Sequence, residues 1–217
     1  ETSSIEDSVQ NGRSDWKNRL TNFSSFKEID KNTCLEIGFG GGRLLSVASK
    51  HFESVIGIDI HEAFDKTEDF LKSQDVNNYN LMHRNDIEGI KGESVDFVYS
   101  FIVFQHFDSF EEIDFYLKQI KRILTPKGYA HIFWGKLNAT AMLPFSPQLP
   151  DSRYFLNPQP ADSRDSTLFV GSKLFCEHLT NSGFTVIEHE GKIPKRINEP
   201  LSPANESGQS RALFKIS

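Results

Sequence analysis

The chain has 217 residues, 37% of them hydrophobic, which suits one domain with a full core. Its formal net charge of -6, with no basic stripe, argues against a nucleic-acid partner. No apolar run reaches the roughly 18 residues of a membrane span, and two cysteines make no disulfide framework or zinc-spaced cluster.

The N-terminal "ETSSIEDSVQNG" is polar and acidic, unlike a secretory signal, and is expected to be disordered; a reducing cytoplasm is the expected setting. Residues 13–28, with Trp16, Leu20 and Phe23, are expected to form a short amphipathic lid helix. The domain plan is thus a tail and lid over 1–30 and a single domain over 31–217. From there strands and helices alternate. "TCLEIG" (33–38), "SVIGIDI" (54–60), "YNLMHRND" (79–86), "SVDFVYSFIVF" (94–104) and "YAHIFWG" (129–135) read as strands. Residues 42–52, 62–74 and 109–124 read as helices, the last with Ile113, Leu117, Ile120 and Leu124 as its apolar stripe. "TPKG" (125–128) has turn chemistry. Residues 136–168 break the rhythm with five prolines and form a substrate-side insert. A helix at about 170–182, capped by Gly183, and strands at 184–190 and 211–217 close the chain. Such alternation predicts an α/β fold: a doubly wound, mostly parallel sheet with helices on both faces.

"CLEIGFGGGRLLSVASK" (34–50) puts four glycines in five positions between the first strand and the first helix. A backbone that bare admits positive φ and close approach of a ligand. The dinucleotide pattern G-x-G-x-x-G fits poorly, because Arg43 stands where its third glycine belongs. Glu36, two residues before Gly38, would repel a pyrophosphate but not a cationic or hydroxyl-rich ligand. Asp59 follows Gly38 by 21 residues at the end of the second strand, where a carboxylate can accept from both hydroxyls of a ribose.

"LEIGFGGGR", "VIGIDI", "HRNDI", "VDFVYSFIVFQHF" and "IKRILTPKGYAHI", in that order over residues 33–135, resemble the successive motifs of class I S-adenosylmethionine-dependent methyltransferases. The resemblance implies a seven-stranded sheet with an antiparallel last strand, and S-adenosylmethionine as cofactor with S-adenosylhomocysteine as product. It places Gly38, Phe39, Gly40 and Gly42 against the methionine part, Glu36 near its amine, and Asp59 and Ile60 at the ribose. Asp86 and Ile87 fall at the adenine, and Ser100, Phe101 and Val103 beside the transferable methyl.

Methyl transfer needs an aligned nucleophile and, for a hydroxyl or ammonium, a base. His106, just past the fourth strand, is the candidate, with Tyr99 and His131 weaker ones. Trp134, Arg153, Tyr154 and Arg164 are candidates for binding the acceptor. The fourth strand ends without the Asp of metal-dependent catechol-type members, so no metal site is expected. "SFIV" replaces the "NPPY"-like tetrapeptide of amino-group methylases acting on nucleic acids and some proteins. A small-molecule O-methyltransferase, monomeric or homodimeric, leads. An N-methyltransferase, a non-catalytic cofactor-binding protein and a nicotinamide oxidoreductase remain as alternatives.

Overall fold

A computed structural model describes residues 4–136, 154–156, 167–189 and 209–217. The chain forms two compact units. The first takes residues 1–99, 119–131 and 216; the second takes 100–118, 132–215 and 217.

In the first unit, β1 (Thr33–Ile37), β2 (Ser54–Asp59) and β3 (Tyr79–His83) run parallel, with Leu35 opposite Ile56 and Ile58 opposite Met82. The strand order is β3-β2-β1-β4-β5, where β4 is Val95–Ser100 and β5 is Leu124–Lys136, shared by both units. The order reverses between β1 and β4, and in open α/β sheets ligands bind beyond the carboxyl ends of the strands at such a switch point. Both strands are apolar because both of their faces are covered: Leu35, Ile37, Val95, Phe97 and Val98 are buried.

β5 begins directly after the helix, so the anticipated turn at 125–128 is strand. Buried Asp96 supplies the reason. Its Oδ2 accepts from the Asn32 and Thr33 N–H groups (3.1 and 3.0 Å) and its Oδ1 from the Thr125 hydroxyl (3.3 Å). That tie keeps the chain extended through Pro126.

The N-terminal segment also departs from expectation. Ile5–Asp15 is an α-helix, α1, with a reciprocal cap: Ser4 Oγ accepts from Asp7 N–H and Asp7 Oδ2 from Ser4 N–H, both 3.1 Å. Residues 13–28 are not one helix. A π-helical turn follows at Trp16–Leu20 and a 3-10 turn at Ser24–Glu28. Thr21 ends the π turn by giving both its N–H (3.0 Å) and its hydroxyl (2.9 Å) to the Trp16 carbonyl.

Trp16 is buried against Tyr99 (5.3 Å, edge-on) and stacked on His51 (5.6 Å). Phe26 meets Phe97 edge-on at 5.6 Å, and Phe52 stacks on Phe97 at 6.1 Å. Burying Trp16 and Leu20 contributes about 1.5–3 kcal/mol each.

Three helices follow in chain order: α2 (Leu45–Ala48), shorter than its pattern promised, α3 (Phe64–Ser73) and α4 (Glu111–Ile123).

In the second unit β5 pairs in parallel with β7 (Leu168–Val170), with Gly135 opposite Phe169. β7 pairs antiparallel with β6 (Tyr154–Leu156). These three-residue strands come from the insert and its end, and they add to the seven strands expected. After α5 (Ser172–Asn181) the chain turns at Gly183, φ 86°, into β8 (Phe184–His189). β8 pairs with β9 (Gln209–Ile216), which also pairs with β5. Thr185 meets Ser217 and Glu188 meets Arg211, so β8 and β9 run antiparallel. The α/β class with a mostly parallel sheet and an antiparallel edge is therefore as the sequence implies.

α1 is held to the glycine loop by close contact and by charge. A methyl on Gly12 would lie 2.5 Å from the Arg43 carbonyl oxygen. Gly12→Ala ought to stabilise an isolated helix by about 1 kcal/mol. Here overpacking, typically costing about 1–3 kcal/mol, outweighs that gain. Thermal unfolding of Gly12→Ala is expected to show a lowered Tm, the reverse of the helix-propensity sign.

Candidate active site

The loop after β1 carries positive φ at Gly38 (78°), Gly40 (48°) and Gly42 (79°). The backbone ladder continues into it through Gly38 N–H to the Ile58 carbonyl (2.7 Å), and Gly42 N–H closes a turn onto the Phe39 carbonyl (2.8 Å). A methyl on Gly42 would strike Thr67 Cγ2 at 2.9 Å, whereas nothing lies within 4 Å of one on Gly40 or Gly41. The outer side of the loop is therefore open space. Phe39 turns the other way: it is buried, edge-on to His61 (5.1 Å) and Phe64 (5.3 Å). Its side chain is thus taken up by packing under the loop.

Asp59 stands at the end of β2. Its Oδ2 accepts from Gly40 N–H (2.8 Å) and its Oδ1 from the N–H groups of Ile60 (2.7 Å) and His61 (3.4 Å). Its side chain keeps 13% exposure, and Ile60 beside it is 67% exposed. Asp86 is exposed on the 3-10 turn Arg84–Gly89 that follows β3. Ile87 does not join it. Its side chain is buried, and its carbonyl accepts from Arg122 Nη2 (2.9 Å).

Glu36 lies beneath the loop, 3% exposed, and accepts from the Tyr99 hydroxyl at 2.8 Å. The Leu45 N–H also donates to it. Burial pushes its carboxyl up to about 8 from an ordinary 4.5; the Tyr99 bond and the Arg43 charge pull the other way, and Asp59 adds to the rise. Burial, and then Glu36, push the Tyr99 hydroxyl well above its ordinary value, so Tyr99 is a donor here and not a base. His131 is buried with Nδ1 2.9 Å from the Leu20 carbonyl, which can only accept. It too is structural.

The second unit holds the remaining candidates. Ser100 is fully buried at the end of β4 and Phe101 is 5% exposed, edge-on to Phe133 at 5.1 Å. Ile102 takes φ 63°, a strained value for a β-branched residue, and is 39% exposed. Val103 (φ -123°) precedes the 3-10 turn Phe104–His106.

His106 is half-buried, its Nε2 3.3 Å from Gln105 Nε2. An amide nitrogen only donates, so the ring Nε2 is the acceptor and carries no proton. Gln105 is oriented in turn, because its Oε1 accepts from Gln209 Nε2 at 2.6 Å. The sequence reading missed both glutamines, since Gln209 is 104 residues from its partner.

Trp134 is 1% exposed, stacks on Phe175 at 3.9 Å and donates its indole N–H to the Val170 carbonyl (3.1 Å). No face or donor is left for a substrate, so Trp134 is a core residue, a correction to its reading as an acceptor contact. Tyr154 is 38% exposed and stacks on Phe110 at 5.2 Å. Arg153 and Arg164 lie outside the described residues.

Glu36 gives the first unit a definite pH response. From pH about 4.5 to 8 the folded chain holds a proton on Glu36 that the unfolded chain releases. Its stabilising contribution is complete at the acid end and is lost as pH rises through 8, by at most about 1.4 kcal/mol per pH unit. Denaturant unfolding is expected to show wild type losing stability relative to Glu36→Gln over that interval, with parallel curves counting against the assignment.

Residues 35–132 match a methyltransferase domain model. Among curated proteins none matches the chain by sequence. Solved structures with a similar fold include a SAM-dependent methyltransferase from Methanosarcina mazei (19% identity, 88% of this chain and 95% of that one, TM-score 0.65). Another is the 1,6-didemethyltoxoflavin-N1-methyltransferase of Burkholderia thailandensis, with bound 1,6-didemethyltoxoflavin and S-adenosylhomocysteine (14%, 98% and 85%, 0.65). Mitomycin 7-O-methyltransferase is a third (12%, 99% of this chain but 54% of that one, 0.61). At such identities the structural likeness is one of fold. Joined to the domain match over residues 35–132 and to the order of motifs along the chain, it is consistent with the class I, Rossmann-like S-adenosylmethionine-dependent methyltransferase family.

Proposed function

We propose that the chain transfers a methyl group from S-adenosylmethionine to a hydroxyl of a small molecule. The observation that carries the cofactor half is the glycine loop with Asp59 bonded to its Gly40 N–H. Gly38, Gly40 and Gly42 shape the loop, and the open space over Gly40 and Gly41 fits a ligand lying against bare backbone. Asp59 keeps lone pairs for a diol, and Ile60 offers an apolar surface beside it. Glu36 provides a carboxyl for an amine. A pyrophosphate would meet the Asp59 carboxyl group beside the loop, which disfavours a nicotinamide dinucleotide. When bound, the cofactor supplies a methyl already activated on a sulfonium.

His106 supports the acceptor half. With Nε2 unprotonated and Gln105 holding the ring, it has a lone pair ready for a proton. An acceptor hydroxyl would replace the Gln105 amide at Nε2 and give up its proton there; its oxygen would take the methyl from the bound cofactor, with the electron pair of the broken S–C bond left on sulfur as a neutral thioether. The net charge of -6 and the absence of a basic stripe favour a small acceptor over a nucleic acid.

Three measurements test this. S-adenosylhomocysteine at about 100 times its Kd adds roughly 2.7 kcal/mol. That raises Tm by about 5–10 °C for a chain of this size. NAD and NADP are expected to leave Tm unchanged. Asp59→Ala is expected to weaken the binding about 10- to 100-fold, the loss of hydrogen bonds to a charged group; unchanged affinity would remove Asp59 from the site. His106→Ala is expected to lower kcat about 10²- to 10⁴-fold with S-adenosylhomocysteine affinity intact. Full turnover in that variant would rule out its role as base.

A further inference from the structure

His61 follows the end of β2 by two residues and His83 ends β3, and each is held by both ring nitrogens. His61 Nδ1 receives the Ala63 N–H (3.1 Å) and His83 Nδ1 receives the Asn85 N–H (3.2 Å). A nitrogen that accepts carries no proton, so each neutral ring bears its hydrogen on Nε2. Those Nε2–H groups face carbonyls, which only accept: Gly40 O for His61 (3.3 Å) and Ile60 O for His83 (3.1 Å).

The two bonds complete a circuit. Gly40 gives its N–H to Asp59 Oδ2, and Asp59 Oδ1 takes the Ile60 N–H. Ile60 then gives its carbonyl to His83, whose other nitrogen caps the 3-10 turn carrying Asp86. The loops after β1, β2 and β3 are thereby tied together through backbone groups on both sides of Asp59. None of these bonds is needed to pair the strands themselves, because the parallel register of β1, β2 and β3 is complete without them.

We propose that His61 and His83 are positioning residues, which hold the glycine loop, the Asp59 turn and the Asp86 turn in one cofactor-binding arrangement. The role acts through Gly40 and Ile60 and requires the Nε2–H donor of each ring. This rests on the cofactor reading given above. Thr67 shares the burden at Gly40, since its hydroxyl also donates to that carbonyl (2.8 Å). The dependence is therefore greater at His83 than at His61.

Amide side chains separate the two ring nitrogens. Glutamine reaches as far as Nε2 and can donate there; asparagine reaches only as far as Nδ1. The test is calorimetric titration of S-adenosylhomocysteine into the full chain carrying His83→Gln, His83→Asn, His61→Gln or His61→Asn, with thermal unfolding of each unliganded variant alongside. His83→Asn is expected to weaken binding about 3- to 10-fold and His83→Gln to stay within about twofold, with the same order but smaller effects at His61. Equal affinity in all four variants overturns the proposal. So does equal weakening of Gln and Asn in step with a lowered unliganded Tm, which would mark a structural role alone. Failure of the unsubstituted chain to bind would instead overturn the cofactor reading, and the proposal with it, before any variant is compared.

Discussion

The hydrogen bond from Gly40 N–H to Asp59 Oδ2 is the contact on which the first unit's site depends. For it to form, the chain leaving β1 must bend back over the end of β2. That bend needs positive φ at three alternate positions, and glycine is the residue that adopts it without strain. The register of β1 on β2 then sets the distance: with Ile37 opposite Ile58, Gly38 and Asp59 emerge side by side. Sheet pairing, loop conformation and the placement of a carboxylate are thus one geometric fact. A side chain at Gly42 or Gly57 would break it from below, through Thr67 or Phe39.

The same loop is fastened from its far side by the N-terminal segment. Arg43 Nη1 donates to buried Asp15 at 2.7 Å, and Arg19 Nε reaches the other oxygen of that carboxylate at 3.2 Å. Asp15 is almost fully buried, and each of its oxygens faces a guanidinium group. Trp16, the next residue, packs edge-on to Tyr99, whose hydroxyl holds Glu36. From α1 through Asp15 and Trp16 to Arg43 and Glu36, every step is at least partly buried.

Much of this was legible in the sequence, and what was not has physical causes. The strand–helix rhythm, the glycine loop and Asp59 show because buried strands and tight turns restrict residue types strongly. α1 is hidden because the residues it buries are Gly12 and Asp15, a close backbone contact and an ion pair, while its Ile5 points outward at 63% exposure. Apolar periodicity carries no trace of such a helix; the Ser4–Asp7 cap was its one local sign. β6 and β7 are three residues each, too short to show alternation. Trp134 misleads because aromatic residues suit buried strands as well as binding surfaces. Gln105, Gln209, His61 and His83 act through partners distant in the chain, which no local pattern reports.

Two carboxyl groups of different character flank the loop, and the difference matters to what it can hold. Asp59 accepts three backbone N–H groups and keeps part of its surface in water. Glu36 is sealed under the loop, and burial holds its proton near neutral pH. An anionic ligand would add repulsion to Asp59 and drive Glu36 further toward its neutral form, gaining nothing from either. A diol, by contrast, would donate to the Asp59 oxygens.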